Sequence, residues 1–359
     1  MTKLHLANTN FEWEIAANKI YPVEKGLENH QIFLQLQFLP FLYADPKDGV
    51  AVTHEPNDHF WKALELEGIQ PSELHLLSSK KVPYDQVETW GASRNAAEWA
   101  KHHKISYEIP AWDIIAKVNS KEFSFTNSPR LPGAALLHTE EEAKKWLSKL
   151  KGPAVLKTCF GVSGKGHMLV DSHTPPQKTF HFLNKEWRLK RPVIAEPWVT
   201  RLLDFSTQWE ITPKGKIEYI GVSICENDTK GRYLTTRTGD VPAYFGMYFP
   251  CFDEHMSVAK QVLKKMAALG YFGNVGIDAM LYQQNTIPCK ILLQPIVEIN
   301  ARKTMGWAAL QMHKYHFSKY KKLALHYISA DAELRSLLPR SLKNPPLVFT
   351  KQLIVEPIE

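Results

Sequence analysis

Ile291–Gly306 reads ILLQPIVEINARKTMG, and the rest of the chain is organised around it. The stretch begins as an apolar run typical of a buried strand. It then places Glu298, Asn300 and Arg302 at every second position before a glycine. Side chains two apart on a strand share a face. A carboxylate, an amide and a guanidinium therefore point together into one cleft, while Val297 and Ile299 point into the core. Charge on the inner face of an apolar strand is costly unless something pairs with it. An oxygen-seeking cation plus an anionic ligand would pair with all three groups, so the strand end reads as one wall of a metal–phosphate site.

Just upstream, Asn274–Tyr282 (NVGIDAMLY) reads as the neighbouring strand and carries Asp278. The loop Gln283–Pro288 turns the chain back, so Asp278 and Glu298 can be cross-strand neighbours. A second chemical stretch, Ala154–Val170 (AVLKTCFGVSGKGHMLV), reads strand–loop–strand, with strands at Ala154–Thr158 and His167–Val170. Gly161, Gly164 and Gly166 let backbone N–H groups approach an anion, and Lys157 sits on the strand before them. Taken alone, a glycine-rich hairpin turn is the plainer reading of that loop. The spacing excludes the better-known glycine motifs: Gly164-Lys165 is followed by Gly166 rather than Ser or Thr, and the glycines run GxxGxG rather than GxGxxG.

Around these stretches, Gln31–Tyr43 (QIFLQLQFLPFLY) is apolar enough for buried strand or strand-like core. Gly49–Thr53 is a short strand, Phe60–Glu67 a short helix ended by Gly68, and Ser93–His103 a second helix. Asn119–Pro132 breaks the periodicity and marks a boundary. Thr139 through Glu142 fits a capping box, and Ala143, Trp146, Leu147 and Leu150 recur at helical spacing. Arg191–Thr200 is a short strand that leaves its sheet at Pro197. Asp204–Thr212 and Ile217–Cys225 alternate as antiparallel strands about a Pro213–Gly215 turn. Arg232 and Arg237 lie in a polar, turn-rich segment, where solvated surface is the plainer reading and anion binding the alternative. Asp253 caps a helix through Leu269, Trp307–Tyr327 reads as mostly helical, and Leu347–Val355 is a last strand.

The chain has 359 residues, too many for one simple core. Its net charge is +7, from 44 basic and 37 acidic residues, with no dense Lys/Arg block. Ordinary positive charge therefore outweighs nucleic-acid binding as a reading. Cys159, Cys225, Cys251 and Cys289 form no CxxC pair, which argues against a zinc site and a disulfide framework and fits a reducing compartment. With no apolar leader at the N-terminus and no membrane-length apolar window, a cytoplasmic location is expected.

Taken together, Lys157, the glycine hairpin, the Glu196 strand end, Asp278 and Glu298-x-Asn300-x-Arg302 resemble the ATP-grasp superfamily in order and approximate spacing, over roughly Asn119–Lys321. Asn119-Ser120-Lys121 is similar to the N-D-K opening of that superfamily's ATP-binding lobe, with Ser in place of Asp. The resemblance implies an α/β (α+β lobes) fold in which two lobes grip ATP between antiparallel sheets. Residues 1–118 would be a preceding α/β domain and 119–195 the small lobe with its flap. Residues 196–330 would be the large lobe, and 331–359 a C-terminal segment.

The resemblance further implies that Lys157 touches the α/β-phosphates. Gly161, Ser163, Gly164, Lys165 and Gly166 would close over the triphosphate. Glu196 would accept from the adenine amino group, and Trp198 and Val199 offer backbone groups at the hinge. The usual offset of the ribose acid falls on Leu203, which leaves Asp204 as the nearest candidate. Asp278, Glu298 and Asn300 would hold two Mg²⁺ ions, or Mn²⁺. Arg302 would face the reacting groups, with Lys157 and Arg237 adding positive charge. The implied reaction is ATP-dependent joining of a small-molecule carboxylate to an amine through an acylphosphate, with a thiol or hydroxyl as alternative nucleophile. A kinase of the same fold and a non-catalytic ATP-binding scaffold are the rivals. Neither a membrane nor a nucleic acid is expected as partner, and homo-oligomerisation stays open.

Overall fold

The first lobe is built on four parallel strands in the order β3-β2-β1-β4: β1 (Lys3–Leu6), β2 (Gly49–Val52), β3 (Glu73–Leu76) and β4 (Gln86–Thr89). The structure is a computed structural model and describes residues 1–161, 166–227, 233–284, 290–331 and 335–359. Helices α1 (Phe11–Ala17), α2 (Val23–Glu28), α3 (Gln31–Leu36), α4 (Asp58–Leu66) and α5 (Arg94–His103) surround the sheet. The Ser93 hydroxyl caps α5 by accepting from the Ala96 N–H.

Gln31–Tyr43 corrects the expectation of a strand: it forms α3 followed by a 3₁₀ turn at Leu39–Leu42. The alternation of Gln35 and Gln37 with apolar residues imitates a half-exposed strand, yet both glutamines are buried. Gln35 Nε2 donates to the carbonyls of Pro339 and Lys351, and Gln37 Oε1 accepts from the Thr53 N–H. Buried amides satisfied by distant backbone obey no local period.

The boundary at residues 119–132 is also more ordered than expected. Helix α6 (Trp112–Asn119) runs into α7 (Lys121–Asn127), capped by the Ser120 hydroxyl. A small lobe follows, with sheet order β5-β8-β6-β7. It contains β5 (Ala135–Leu137), α8 (Glu140–Leu147), β6 (Ala154–Thr158), β7 (His167–Val170), α9 (Pro176–Trp187) and β8 (Val193–Pro197). The capping box at Thr139 and Glu142 is present with both of its hydrogen bonds.

The large sheet has seven antiparallel strands in the order β13-β12-β9-β10-β11-β14-β15. They are β9 (Thr200–Ile211), β10 (Ile217–Asn227), β11 (Tyr233–Thr238), β12 (Gly273–Gln284), β13 (Lys290–Asn300), β14 (Lys322–Ser329) and β15 (Lys351–Ile358). After β11 come α10 (Val241–Phe245) and α11 (Pro250–Ala268); α12 (Met305–His316) follows β13. Helix α11 starts at Pro250, ahead of the expected cap at Asp253, because proline fits the first turn. Its Val262 and Met266 pack on Trp209, Ile277 and Ile299 of one sheet face. Only the first part of Trp307–Tyr327 is helical. Its end is β14, and the last strand begins four residues later than expected, at Lys351.

Val297 also departs from the alternation. One residue of β12, Ala279, stands against three of β13, Pro295, Ile296 and Val297, between Asp278↔Glu298 and Met280↔Gln294. This bulge falls at Pro295, which has no N–H to give the ladder. It sends Ile296 into the core and Val297 to the cleft.

Candidate active site

Register on β12 and β13 sets the centre of the site: Asp278 lies opposite Glu298, and Gly276 opposite Asn300. Asn300 Nδ2 donates to Asp278 Oδ2 at 3.0 Å, and its Oδ1 accepts from Arg302 Nη2 at 3.1 Å. Asn300 thus joins Arg302 to Asp278, while Glu298 on the same face is bonded to Lys121. Two further groups arrive from elsewhere. Arg302 Nε donates to Glu12 Oε1 at 2.6 Å, and Lys121 Nζ donates to Glu298 Oε1 at 2.7 Å and to the Gly161 carbonyl at 3.1 Å.

Electrostatics separates the two carboxyls. Burial, reinforced by the Glu298 charge, pushes Asp278 up to about 6, although Ser206, Asn300 and Arg302 pull the other way. Burial presses on Glu298 too, but the adjacent Lys121 ammonium outweighs it and holds that carboxyl below its usual range. The donors around this point are two carboxylates and an amide oxygen, all hard oxygens, which suits Mg²⁺ or Mn²⁺ far better than zinc. Among the described residues, no group of three or more His, Cys, Asp or Glu side chains is placed to hold a metal. Any ion here would thus rely on this pair, the amide and its own ligands.

Across the cleft, Lys157 on β6 and Glu196 on β8 meet through Lys157 Nζ and Glu196 Oε2 at 2.5 Å. His167 lies beside them. Although part of the residue is exposed, desolvation in the cleft, with the Lys157 and Lys121 charges, lowers its ring below the usual imidazole range. Asp204 faces Arg201 at 3.4 Å and accepts from Asn227 Nδ2 at 3.3 Å, and burial raises its carboxyl.

One cavity of about 320 Å³ is lined by Lys157, Gly161, Glu196, Trp198, Val199 and Asp204. Asp278, Glu298, Asn300 and Arg302 line the same space. The Trp198 backbone N–H is already given to the Pro153 carbonyl at 2.9 Å, so of its backbone groups only the carbonyl is left to offer. Gly166 stands outside the lining, at φ +88°, where a Cβ would meet Thr158 Oγ1 at 2.4 Å. Ser163, Gly164 and Lys165 lie outside the described residues, as does Arg232.

Arg237 is a correction. It lies opposite Ile224 on β11, on the sheet face away from the cleft, and donates to Glu226 Oε1 at 2.7 Å. Its neighbour Thr236 lines the cleft instead. Sequence reasoning gave no role to Lys121, although Asn119-Ser120-Lys121 had marked the spot, and it missed Glu12 and His167. Nothing local signals Glu12, because its partner Arg302 is 290 residues away.

Neither a protein-family model nor a curated protein sequence matches the chain. Solved structures do. The chain is similar to biotin carboxylase from Campylobacter jejuni in its β,γ-ATP complex, with 13% identity and TM-score 0.55, covering 100% of this chain and 88% of that one. It is also similar to the biotin carboxylase domain of Hydrogenobacter thermophilus 2-oxoglutarate carboxylase in complex with MgADP. That likeness has 11% identity and TM-score 0.54, covering 99% and 86%. N5-carboxyaminoimidazole synthetase from Staphylococcus aureus, complexed with ADP, shares 12% identity at TM-score 0.50, covering 91% and 82%. These likenesses define the architecture: the chain has the ATP-grasp fold, with an N-terminal α/β domain ahead of the two gripping lobes. Among the described residues no helix is long and apolar enough to cross a membrane.

Proposed function

We propose that this chain is an ATP- and Mg²⁺-dependent ligase that activates a small-molecule carboxylate as an acylphosphate and joins it to an amine. The observation that carries this reading is the pairing of Asp278 and Glu298 on adjacent strands, Asp278 bonded to Asn300 and Glu298 to Lys121, in one cleft with Lys157. The ATP, MgADP and ADP named for the neighbouring structures support the same nucleotide and metal.

Asp278, Glu298 and Asn300 would hold the metal, which supplies charge neutralisation for phosphoryl transfer when bound. Phosphates entering the cleft draw Lys157 from Glu196 and Lys121 from Glu298, exchanging one anionic partner for another. Glu196 is then free to accept from the adenine amino group, with the Trp198 carbonyl and Val199 beside it and Asp204 near the ribose. Arg302, aimed by Glu12 and Asn300, holds the substrate carboxylate. One carboxylate oxygen attacks the γ-phosphorus, the bond from that phosphorus to the β-phosphate oxygen breaks, and ADP leaves. The amine then attacks the acyl carbon, phosphate departs and a proton is lost. Phosphoryl transfer asks for positioning rather than a protein nucleophile, so no Ser–His or Cys–His pair is needed.

The test offers carboxylate mixtures with Mg-ATP and hydroxylamine, reading hydroxamates by mass spectrometry alongside ADP. Equimolar hydroxamate and ADP are expected, lost in Glu298→Gln while the melting temperature is kept. ATP binding without either product, or ADP with a phosphorylated alcohol, overturns the reading.

A further inference from the structure

We propose that the acid used by this site carries an apolar, unphosphorylated body, held where the first lobe meets β11 and β14. This rests on the ligase reading and names its substrate class. In open α/β sheets, ligands sit at the strand C-termini where the strand order reverses. In the first lobe that point lies between β1 and β4, and Thr9, Glu12 and Trp90, which follow those strands, all line the cleft.

Beyond Arg302 the lining changes character. Ile32 and Leu36 of α3, Trp90, Tyr233, Met305 and Tyr327 supply it. The Tyr327 hydroxyl is spent on Gln35 Oε1 at 3.0 Å and the Tyr233 hydroxyl on Thr236 Oγ1 at 2.9 Å, so both present rings rather than donors. Strand β14 stands four strands from β12, about 19 Å across the sheet at the usual inter-strand spacing. The apolar end is thus well separated from the Asp278 end.

Charge points the same way. Of the cations at the cleft among the described residues, Lys157 is paired with Glu196, Lys121 with Glu298 and Arg201 with Asp204, all toward the nucleotide side. Toward the first lobe stands Arg302, itself shared with Glu12. Among the described residues that suffices for one carboxylate and leaves no partner for a phosphate or a second carboxylate, whose burial without a counter-charge is costly. The Thr9 hydroxyl, without a hydrogen-bond partner, adds one neutral polar contact.

The experiment compares octanoate and 3-phenylpropanoate with octanedioate and 3-phosphoglycerate, each with Mg-ATP and hydroxylamine. Octanoate and octanedioate differ only by a distal carboxylate. The apolar acids are expected to exceed the others at least tenfold in kcat/KM. In Leu36→Arg, with folding checked by thermal melting, the octanoate-to-octanedioate ratio is expected to fall at least tenfold. Preference for the dianion or the phosphorylated acid, or an unchanged ratio in Leu36→Arg, overturns the proposal while leaving the ligase reading intact. If no acid gives hydroxamate or ADP, the ligase reading fails separately. Calorimetric titration with Mg-ADP present then decides the apolar site: selective binding of octanoate over octanedioate supports it, and equal or absent binding overturns it.

Discussion

Lys121 shows how much one side chain can carry in this cleft. Its side chain is largely buried, and it bonds at once to Glu298 in the large lobe and to the Gly161 carbonyl at the start of the glycine loop. Buried charge pairs respond strongly to loss of one partner, since the other is left uncompensated. Lys121→Met is therefore expected to raise the Glu298 carboxyl toward protonation, to raise the KM for ATP at least tenfold and to lower kcat by 10²–10³-fold, the usual cost of a lost phosphate-side charge. Steady-state kinetics check the rates. A melting temperature that falls in Lys121→Met and recovers in millimolar Mg²⁺ would show that the ion substitutes for the lost ammonium. Unchanged kinetics would remove Lys121 from the site.

At the scale of elements, the decisive contact is the seat of α12 on the large sheet. Thr304 caps this helix, its hydroxyl accepting from the Trp307 N–H while donating to Gln208 Oε1. A Cβ on Gly306 would lie 2.3 Å from Ser223 Oγ and 2.9 Å from Gln208 Nε2. Neither neighbour can yield easily, because both are buried and Gln208 is also bonded to Ser206. Gly306→Ala should therefore cost about 1–3 kcal/mol by overpacking, read as a lower urea midpoint at unchanged m-value. Because Thr304, Met305 and Gly306 line the cleft, turnover should fall with it.

Across the whole molecule, the first and large lobes share one core. Phe38, Phe41 and Phe60 pack in the same cluster as Trp307, Leu325 and Leu353, whereas the small lobe keeps its own around Leu156 and Leu183. Lys303, its side chain buried, ties the shared core further through Glu88 at 2.5 Å and the Trp307 ring. Global stability should also carry a pH signature from His255, buried between α11 and the sheet. Its Nδ1–H donates to the Pro295 carbonyl, so Nε2 accepts from the Thr207 hydroxyl. Burial lowers this ring to about 4 from an ordinary 6.5. The unfolded chain then binds the extra proton between those values, so stability falls as pH drops from 6.5 to 4 and this contribution levels off below 4. The full effect is at most about 3 kcal/mol. Melting curves from pH 7.5 to 3.5 should be shallower in His255→Gln; identical slopes would assign the acid sensitivity elsewhere.

By itself the sequence determined what depends on neighbours in the chain. Period-two alternation and a short connection suffice to put Asp278, Glu298 and Asn300 on one face of two paired strands. Capping chemistry sufficed for α5 and α8, and flanking strands bounded the glycine loop. Only the tertiary structure decided the rest. Arg237 lost its place because the cleft covers the face of β11 that carries Thr236, and covering is not a property of a strand. Gln31–Tyr43 became helix because partners some 300 residues away satisfy Gln35. Glu12 and Lys121 joined the site through Arg302 and Glu298, 290 and 177 residues distant. Local patterns report the backbone's own period, whereas charge pairing and burial depend on contacts that exist only once the lobes have met.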